Sequence, residues 1–368
     1  MNKLHLLVLC LSRGWGGLEI HVRDYVRWLA ARSDVELSLA LHPGGRLREE
    51  LAQAKARTLL LAPRLARLPW ACAGKLAAAI DRGGIEIVHS HMHQDLPLSA
   101  FARLRSKGKP ALVHTQHIVR PKNAKADPYH RFIYGSLAGF IGVSRALAAD
   151  AERRLPLKPG VVRQVYPGVP PPVMDAAAAA GPLTVGVVAT IWRGKGHHLA
   201  LQAAAALRQR GLPVRVVFSG RIDQQDYFDS LQAYAREHGL DLEVRGFVAP
   251  ARAFSGIDVL AMCSLDEPFG MVTVEAMRRG IAVVGSDSGG TAEIIRDGID
   301  GLLFAPGDAQ ALARQIERLA GDDALRQRLC SAAAVRAGAE FDERTQFARI
   351  LQTVRDCAGQ GAHGARPG

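Results

Sequence analysis

Short apolar runs alternate with amphipathic stretches along the first half of the chain. Residues 4–11 and 35–41 are apolar, and the stretch 18–31 between them has helical spacing. Apolar runs of this length suit buried strands and the stretches between them suit covering helices, so the rhythm predicts βα units around a parallel sheet. Further strands are predicted at 58–61, 85–89, 111–115 and 139–143. Ser144 follows the last of these and is expected to cap a helix that begins at Arg145.

The pattern breaks between residues 166 and 182, where prolines and an alanine run replace the alternation. A second series of predicted strands then follows at 183–189, 214–219, 242–246, 259–262 and 281–286, with helices after Gly307. We therefore predict an α/β protein with two Rossmann-like, doubly wound domains. The predicted boundaries are 1–168 for the N-terminal domain, 169–182 for the linker, 183–345 for the C-terminal domain, 346–357 for a helix that can pack back toward the N-terminal domain, and 358–368 for a glycine-rich disordered tail.

Composition agrees with a globular protein of two domains. The chain has 368 residues, of which 48% are hydrophobic and 22% charged. Its five cysteines are scattered and form no C-x-x-C pair, which favours a reducing, cytosolic setting over a disulfide framework or a metal site. No apolar run approaches the roughly 18 residues that span a bilayer. The run at 4–11 is not followed by a small-residue cleavage site, so it predicts a buried strand rather than a signal peptide.

The charge is distributed unevenly. Residues 1–180 contain 26 Lys and Arg against 13 Asp and Glu, a net charge of +13. Residues 181–368 carry a net charge of −1, so the whole excess of +12 comes from the first half. Much of this excess lies between 51 and 150, including the residues Arg103, Arg105, Lys107, Lys109, Arg120, Lys122 and Lys125. Such a field attracts a polyanion, whether nucleic acid, a phosphorylated glycan or an anionic membrane surface. Solvated arginines with no partner are the alternative.

Two glutamates flank a Pro-Phe-Gly segment in the second half. Pro268 suits the first position of a helix, which would place Glu267 at the helix N-terminus and Glu275 about two turns in. A helix N-terminus favours anions, and carboxylates accept hydrogen bonds from sugar hydroxyls. The segment therefore indicates polyol recognition. The alternative is that one glutamate caps the helix and the other is solvated.

This segment resembles the E-x7-E motif of the retaining glycosyltransferases of family 4, the group 1 glycosyltransferases. Further segments resemble that family in the same order along the chain: 16–22, 87–91, 114–117, 142–144, 194–196, 245–248 and 289–293. The resemblance implies the GT-B fold, in which two Rossmann-like domains face each other across a cleft. It also implies that a sugar moves from a nucleotide-sugar donor, foremost a UDP-sugar, with retained anomeric configuration and without a metal or another cofactor.

The resemblance also assigns roles to individual residues. His117, Lys195 and Glu267 are the expected catalytic residues. The expected donor-binding residues are Gly16, Gly17, Arg193, Lys195, Phe247, Phe269, Gly270, Met271, Glu267 and Glu275. Lys195 precedes a predicted helix at 198–210, so its ammonium group and the helix N-terminus can neutralise a departing diphosphate. The family carries an arginine where this chain has Thr190, and Arg193 or Arg221 could replace it.

Some candidate residues have an alternative interpretation. Gly14, Gly16 and Glu19 almost form a dinucleotide fingerprint, but Glu19 replaces the third glycine, which disfavours a nicotinamide enzyme. Phe247 is expected either to contact the nucleotide base or to lie in the core. Histidines 91, 93 and 114 accompany His117, but no pattern of carboxylates supports a metal site.

The acceptor and the location follow from the basic first half. Residues 59–75 mix aliphatic, aromatic and cationic side chains, as an interfacial segment does, although an ordinary buried element with basic edges is the alternative. We expect a cytoplasmic enzyme, peripheral on the inner face of the cytoplasmic membrane, that acts on an anionic glycolipid or phosphorylated glycan such as a lipopolysaccharide core. Nucleic acid is not an expected partner. The alternatives are a sugar-nucleotide epimerase of the same fold and a basic nucleic-acid-binding protein.

Overall fold

The computed structural model describes residues 3–63, 69–119, 127–172 and 181–363. The chain forms two compact units, one of residues 1–168 and 344–368 and the other of residues 169–343. Several parts of the sequence discussed above lie outside the described residues: 64–68 of the mixed segment 59–75, the basic residues Arg120, Lys122 and Lys125, most of the linker (173–180) and the chain end (364–368).

The first unit contains a parallel sheet of seven strands within the described residues, in the order β3-β2-β1-β4-β5-β6-β7. The strands are β1 (Leu4–Cys10), β2 (Val35–Leu41), β3 (Arg57–Leu60), β4 (Ile87–Ser90), β5 (Ala111–Gln116), β6 (Gly139–Gly142) and β7 (Val162–Gln164). The first six lie where the apolar runs predicted them. The sequence analysis missed β7, because this short edge strand has no apolar run that could signal it.

Helices cover both faces of this sheet. They are α1 (Gly17–Ala30), α2 (Arg46–Glu50), α3 (Trp70–Gly83), α4 (Leu96–Arg105), α5 (Pro128–Gly135) and α6 (Arg145–Arg154). Ser144 caps α6 by accepting a hydrogen bond from the Leu147 N–H, as predicted. In β1, Leu6 and Val8 face one hydrophobic core while Leu7 faces the other. Burial on both faces explains why the strands read as continuous apolar runs.

The second unit has a parallel sheet of six strands in its described part, in the order β10-β9-β8-β11-β12-β13. The strands are β8 (Thr184–Val188), β9 (Arg215–Ser219), β10 (Asp241–Gly246), β11 (Val259–Met262), β12 (Ala282–Ser286) and β13 (Leu302–Phe304). The helices are α7 (His197–Gln209), α8 (Gln225–Glu237), α9 (Pro250–Phe254), α10 (Met271–Arg278), α11 (Thr291–Ile294), α12 (Ala309–Gly321) and α13 (Asp323–Glu340). Two doubly wound α/β units confirm the predicted fold class.

The C-terminal helix α14 (Glu343–His363) is longer than predicted. Its Phe347, Ile350 and Val354 lie in the core of the first unit, beside α1. Cys357 is buried in the same core and Ala358 packs against it, so tertiary contacts hold the helix up to the start of the glycine-rich segment that was predicted as a disordered tail. The helix thus extends beyond the predicted end at residue 357.

Each sheet reverses its strand order at one place. The reversal lies between β1 and β4 in the first unit and between β8 and β11 in the second. In open parallel sheets, ligands bind outside the carboxyl ends of the strands at this switch point. The loops that follow these four strands are therefore the places where functional side chains are expected.

Candidate functional site

The loop after β8 brings Lys195 to the switch point of the second unit. Residues Arg193–Lys195 form one 3₁₀ turn, and Gly196 follows with φ +67°, a conformation that favours glycine. A Cβ atom on Gly196 would lie 2.4 Å from the carbonyl oxygen of Cys263 at the end of β11. Because Gly196 has no side chain, the lysine loop can pack directly on the neighbouring strand end.

The loop after β11 carries Glu267, but the helix begins later than predicted. Gly270 has φ +101° and forms the N-cap of α10, which starts at Met271. A residue in this left-handed conformation cannot lie inside a right-handed helix, so Pro268 is not the first helical residue. Glu267 therefore lies in the loop, and Glu275 is only about one turn into α10.

Lys195 and Glu267 form an ion pair, with Lys195 Nζ at 2.7 Å from Glu267 Oε2. The loop after β12 fixes the backbone of this glutamate, because the Gly290 N–H donates a hydrogen bond of 2.8 Å to the carbonyl oxygen of Glu267. A Cβ atom on Gly289 would lie 2.6 Å from the same oxygen. Three strand-end loops thus converge on one pair of opposite charges.

Glu275 lies on the same helix as Met271 and is half-buried. Burial raises the pKa of its carboxyl to about 7, while the nearby Arg279 guanidinium opposes this shift. No hydrogen bond to its carboxyl oxygens is found among the described residues. A carboxylate of this kind can accept hydrogen bonds from a ligand's hydroxyl groups.

The remaining predicted donor residues differ in accessibility. The Phe269 ring is buried against Phe341, with the centroids 5.6 Å apart, so its side chain belongs to the core. Phe247 is 59% exposed and is therefore not a core residue. Arg193 lies over the Tyr227 ring at 5.2 Å, whereas Arg221 is paired with Asp223. Of the two arginines proposed to replace the one missing at Thr190, Arg193 has no bidentate carboxylate partner among the described residues.

In the first unit, the glycine loop after β1 ends at Gly17, the first residue of α1. Glu19 is buried and accepts a hydrogen bond from the Ser12 hydroxyl. A Cβ atom on Gly16 would lie 3.6 Å from a carboxylate oxygen of Glu19. The place that a dinucleotide-binding loop leaves for a third glycine thus holds a carboxylate, which does not suit a nicotinamide cofactor.

Helix α1, strand β4 and the ends of β4 and β5 bring together a group of imidazole rings, which we call the histidine cluster. Its members are His21, His89, His91 and His117. The centroid of the His117 ring lies 5.2 Å from that of His21 and 5.3 Å from that of His91. Burial lowers the pKa of His21 to about 4 and holds that of His117 well below its usual range. These rings are therefore neutral at pH 7.

The sequence analysis identified His117 but missed His21. Residues His21 and Tyr25 are one turn apart on α1 and both buried, and the Tyr25 ring packs edge-on against His89 and His91. The helical spacing of buried positions was the signal that could have found His21.

Among the described residues, no group of three or more His, Cys, Asp or Glu side chains could hold a metal ion. No described helix is long and apolar enough to cross a membrane.

The two doubly wound units have the architecture of the GT-B class, and their switch points carry the side chains described above. The chain matches two families, one described as "Glycosyltransferase Family 4" over residues 15–171 and the other as "Glycosyl transferases group 1" over residues 175–336. It is 30% identical over 316 residues to the D-inositol 3-phosphate glycosyltransferase of Mycobacterium leprae, covering 77% of this chain and 72% of that protein. The chain therefore belongs to the group 1 glycosyltransferases of family 4, as the resemblance predicted.

Other similar proteins share shorter segments or the fold alone. The lipopolysaccharide core biosynthesis glycosyltransferase LpsE of Rhizobium meliloti is 34% identical over 138 residues, which cover 37% of this chain and 38% of that protein. The crystal structure of Anabaena Alr3699/HepE in complex with UDP and glucose superposes with a TM-score of 0.80 at 22% identity, covering 96% of this chain and 100% of that one. At that identity the likeness establishes the fold. The chain spans about two fifths of the length of two relatives it matches at 34% identity.

Proposed function

We propose that the protein is a retaining glycosyltransferase that moves a sugar from a nucleotide-sugar donor, foremost a UDP-sugar. The Lys195–Glu267 ion pair at the switch point of the second unit carries this proposal, because it places one cation and one hydrogen-bond acceptor where a parallel sheet binds ligands. Family membership and the UDP and glucose bound to Anabaena Alr3699/HepE support the choice of donor.

Each side chain then has a physical task. Lys195, assisted by Arg193, would neutralise the charge that develops on the departing diphosphate. Glu267 would move from the ammonium group to the hydroxyl groups of the donor sugar. Glu275 would accept hydrogen bonds from the ribose hydroxyls. His117 of the first unit would hydrogen-bond a reacting sugar. No covalent intermediate on the protein is part of this proposal.

A donor-hydrolysis screen tests the proposal. Purified protein is incubated with UDP-, GDP- and ADP-sugars, with and without EDTA, and the release of nucleoside diphosphate is measured. We expect release from one donor class that survives EDTA and falls about 10² to 10³-fold in Lys195→Ala. Free epimerised sugar nucleotide without acceptor would instead support the epimerase. Tight donor binding that neither Lys195→Ala nor Glu267→Ala changes would refute the assigned site.

The proposed acceptor is an anionic glycolipid or phosphorylated glycan at the inner face of the cytoplasmic membrane. The names of the relatives support an anionic acceptor, since one acts on D-inositol 3-phosphate and another in lipopolysaccharide core biosynthesis. The positive charge of residues 1–180 adds attraction to such an acceptor and to anionic lipid.

A row of aromatic rings supports the membrane part of this proposal. Trp70 of α3, Phe101 of α4 and Phe132 of α5 are neighbours, with ring centroids 4.8 Å and 5.4 Å apart. Trp70 is 49% exposed, and Leu104 on α4 is 55% exposed. Exposed residues Lys75, Arg105, Lys107 and Arg131 lie on or next to the same helices. Exposed aromatic and aliphatic side chains with cations beside them suit a membrane interface.

Sedimentation with lipid vesicles tests this surface. We expect the protein to sediment with vesicles that contain phosphatidylglycerol and not with pure phosphatidylcholine. The double variant Trp70→Ser, Leu104→Ser should lose this binding, whereas Val335→Ser, which changes an exposed apolar residue of α13 in the second unit, should retain it. Equal binding by both variants would refute the surface.

A further inference from the structure

His91 is joined to His117 by a hydrogen bond between ring nitrogens. The Nδ1 atom of His91 lies 3.0 Å from the Nε2 atom of His117. His91 is 2% exposed and follows β4, while His117 follows the adjacent strand β5. One of these nitrogens must carry the proton, so the tautomer of one ring determines that of the other.

The other nitrogen of His91 indicates which ring donates. His91 Nε2 is buried and has no hydrogen-bond partner among the described residues. If His117 donated, the proton of His91 would lie on that Nε2 atom and leave a buried N–H group unpaired. If His91 donates from Nδ1, only a bare ring nitrogen is left. Unpaired buried N–H groups are rarer than unsatisfied acceptors, which favours donation by His91.

The neighbouring rings strengthen this assignment. Both ring nitrogens of His21 are buried without a partner in the described part of the chain, so its one N–H group already lacks a hydrogen bond. A second unpaired N–H in the same cluster would add to that cost. His89, whose ring centroid lies 4.2 Å from that of His91, pairs Nε2 with the Thr115 hydroxyl at 2.7 Å and leaves Nδ1 without a partner. If His89 donates from Nε2 to Thr115, it too leaves only an unprotonated nitrogen, Nδ1, without a partner.

We infer that His91 is a positioning residue that holds His117 in the tautomer protonated on Nδ1. His117 then offers an N–H group to a substrate oxygen and acts as a hydrogen-bond donor, not as a proton-accepting base. Nδ1 of His117 makes no hydrogen bond to a described residue, and the side chain is half-buried. The inference deepens the proposed function, since it rests on His117 contacting a reacting sugar or its phosphate.

The neutral state of the cluster makes the tautomer matter. Burial and the neighbouring imidazoles hold the pKa of both His91 and His117 well below the usual range. A neutral imidazole can donate from only one nitrogen, whereas an imidazolium donates from both. The choice of nitrogen therefore decides whether His117 presents a donor or an acceptor to the substrate.

Nitrogen-15 NMR of the histidine-labelled wild-type chain tests the tautomer without using activity. Long-range correlations between ring protons and nitrogens distinguish Nδ1–H from Nε2–H, and a His117→Asn variant identifies the His117 signals. We expect the proton of His117 on Nδ1 and that of His91 also on Nδ1. A His117 ring protonated on Nε2 would overturn the inference, even if the protein proves to be a glycosyltransferase.

Kinetics of two variants test the positioning role. His91→Phe keeps a planar ring but removes the donor, and we expect kcat to fall roughly 10-fold while the KM for the nucleotide sugar stays within about 2-fold. His91→Asn offers an amide N–H near the position of Nδ1 and should regain most of the loss. Equal losses in both variants with an unchanged His117 tautomer would show a merely structural role. His114→Asn is the control, because the His114 ring pairs with the Ser90 hydroxyl.

Discussion

The two units place different chemistry at equivalent positions of their sheets. At the switch point of the second unit, three strand-end loops surround the oppositely charged pair Lys195 and Glu267. At that of the first unit, the neutral imidazoles of His21 and His117 pack against each other, and His21 also packs against the Phe347 ring. The doubly wound topology explains where both groups lie, because it opens a crevice at one place in each sheet. It does not explain their chemistry, which depends on the side chains that each loop supplies.

Burial shifts the pKa values of the two regions in opposite directions. It disfavours the charged form of any group, so it raises the pKa of Glu275 to about 7 and lowers that of His21 to about 4. The second unit therefore holds a carboxyl that keeps its proton to a higher pH than usual. The first unit holds an imidazole that stays neutral to a lower pH than usual. A change of pH should therefore affect the contributions of the two regions to stability in opposite directions.

The largest expected effect is on catalysis by the charged region. Lys195→Ala removes the ammonium group that would neutralise the departing diphosphate, and we expect kcat/KM to fall about 10² to 10³-fold. Steady-state assays with the donor found in the hydrolysis screen measure this loss. Arg318→Ala, which removes an exposed cation of α12, should leave the rate unchanged. A loss of less than about 3-fold for Lys195→Ala would mean that the diphosphate is bound elsewhere.

The neutral region should determine stability in acid. His21 binds a proton in the unfolded chain near its ordinary pKa of about 6.5 but in the folded chain only near 4, so its stability contribution is complete above 6.5 and is lost as the pH falls toward 4. The shift corresponds to about 3 kcal/mol. Denaturant unfolding at a series of pH values should show a shallower decline for His21→Phe than for the wild type. His238→Gln, a histidine outside the cluster, is the matched control.

Glu275 should give the opposite pH dependence. Between its ordinary pKa of 4.5 and the folded value of about 7, the folded state holds a proton that the unfolded state has lost, so the free energy of unfolding falls as the pH rises through this window. Glu275→Gln should remove that decline. If the ionised carboxyl binds ribose hydroxyls, nucleoside diphosphate binding by calorimetry should weaken below pH 7 in the wild type only. A wild-type affinity that is flat with pH would contradict this role.

A smaller effect on activity is expected at the partner of Lys195. Glu267→Gln keeps the size of the side chain but removes its charge, and the lost charge-assisted hydrogen bonds to donor hydroxyls should lower kcat/KM roughly 10-fold. Glu317→Gln changes an exposed glutamate of α12 that pairs with Arg210, and it should have no effect. Unchanged kinetics for Glu267→Gln would leave Glu267 with only the task of pairing Lys195.

The smallest effect is expected at Arg193, whose side chain is 65% exposed. Its guanidinium lies over Tyr227 and would supply only a screened second charge, so Arg193→Ala should raise the donor KM about 2- to 5-fold. Arg221→Ala is the comparison, since Arg221 is held by Asp223. A larger effect at Arg221 than at Arg193 would reverse the assignment of the cation that replaces the missing arginine.

The apolar pattern along the chain was enough to predict the two-unit α/β architecture, because strands buried on both faces must be apolar and the helices between them amphipathic. The sequence also identified Glu267, Lys195 and His117 as candidates, through motifs that need particular residue types. How these groups meet depends on the packing of distant segments in the folded chain. The pairing of Lys195 with Glu267 joins residues 72 positions apart along the chain.

Other features also depended on contacts between distant segments. The left-handed conformation of Gly270 places the start of α10 past Pro268, and Cys357 and Ala358 of the last helix pack on the core of the first unit. The tautomer inferred for His117 follows from a hydrogen bond to His91 on an adjacent strand end. Local pattern predicts which residues are buried and which segments are regular. Partners, burial of charge and proton positions depend on which strands become neighbours, and that is a property of the folded chain.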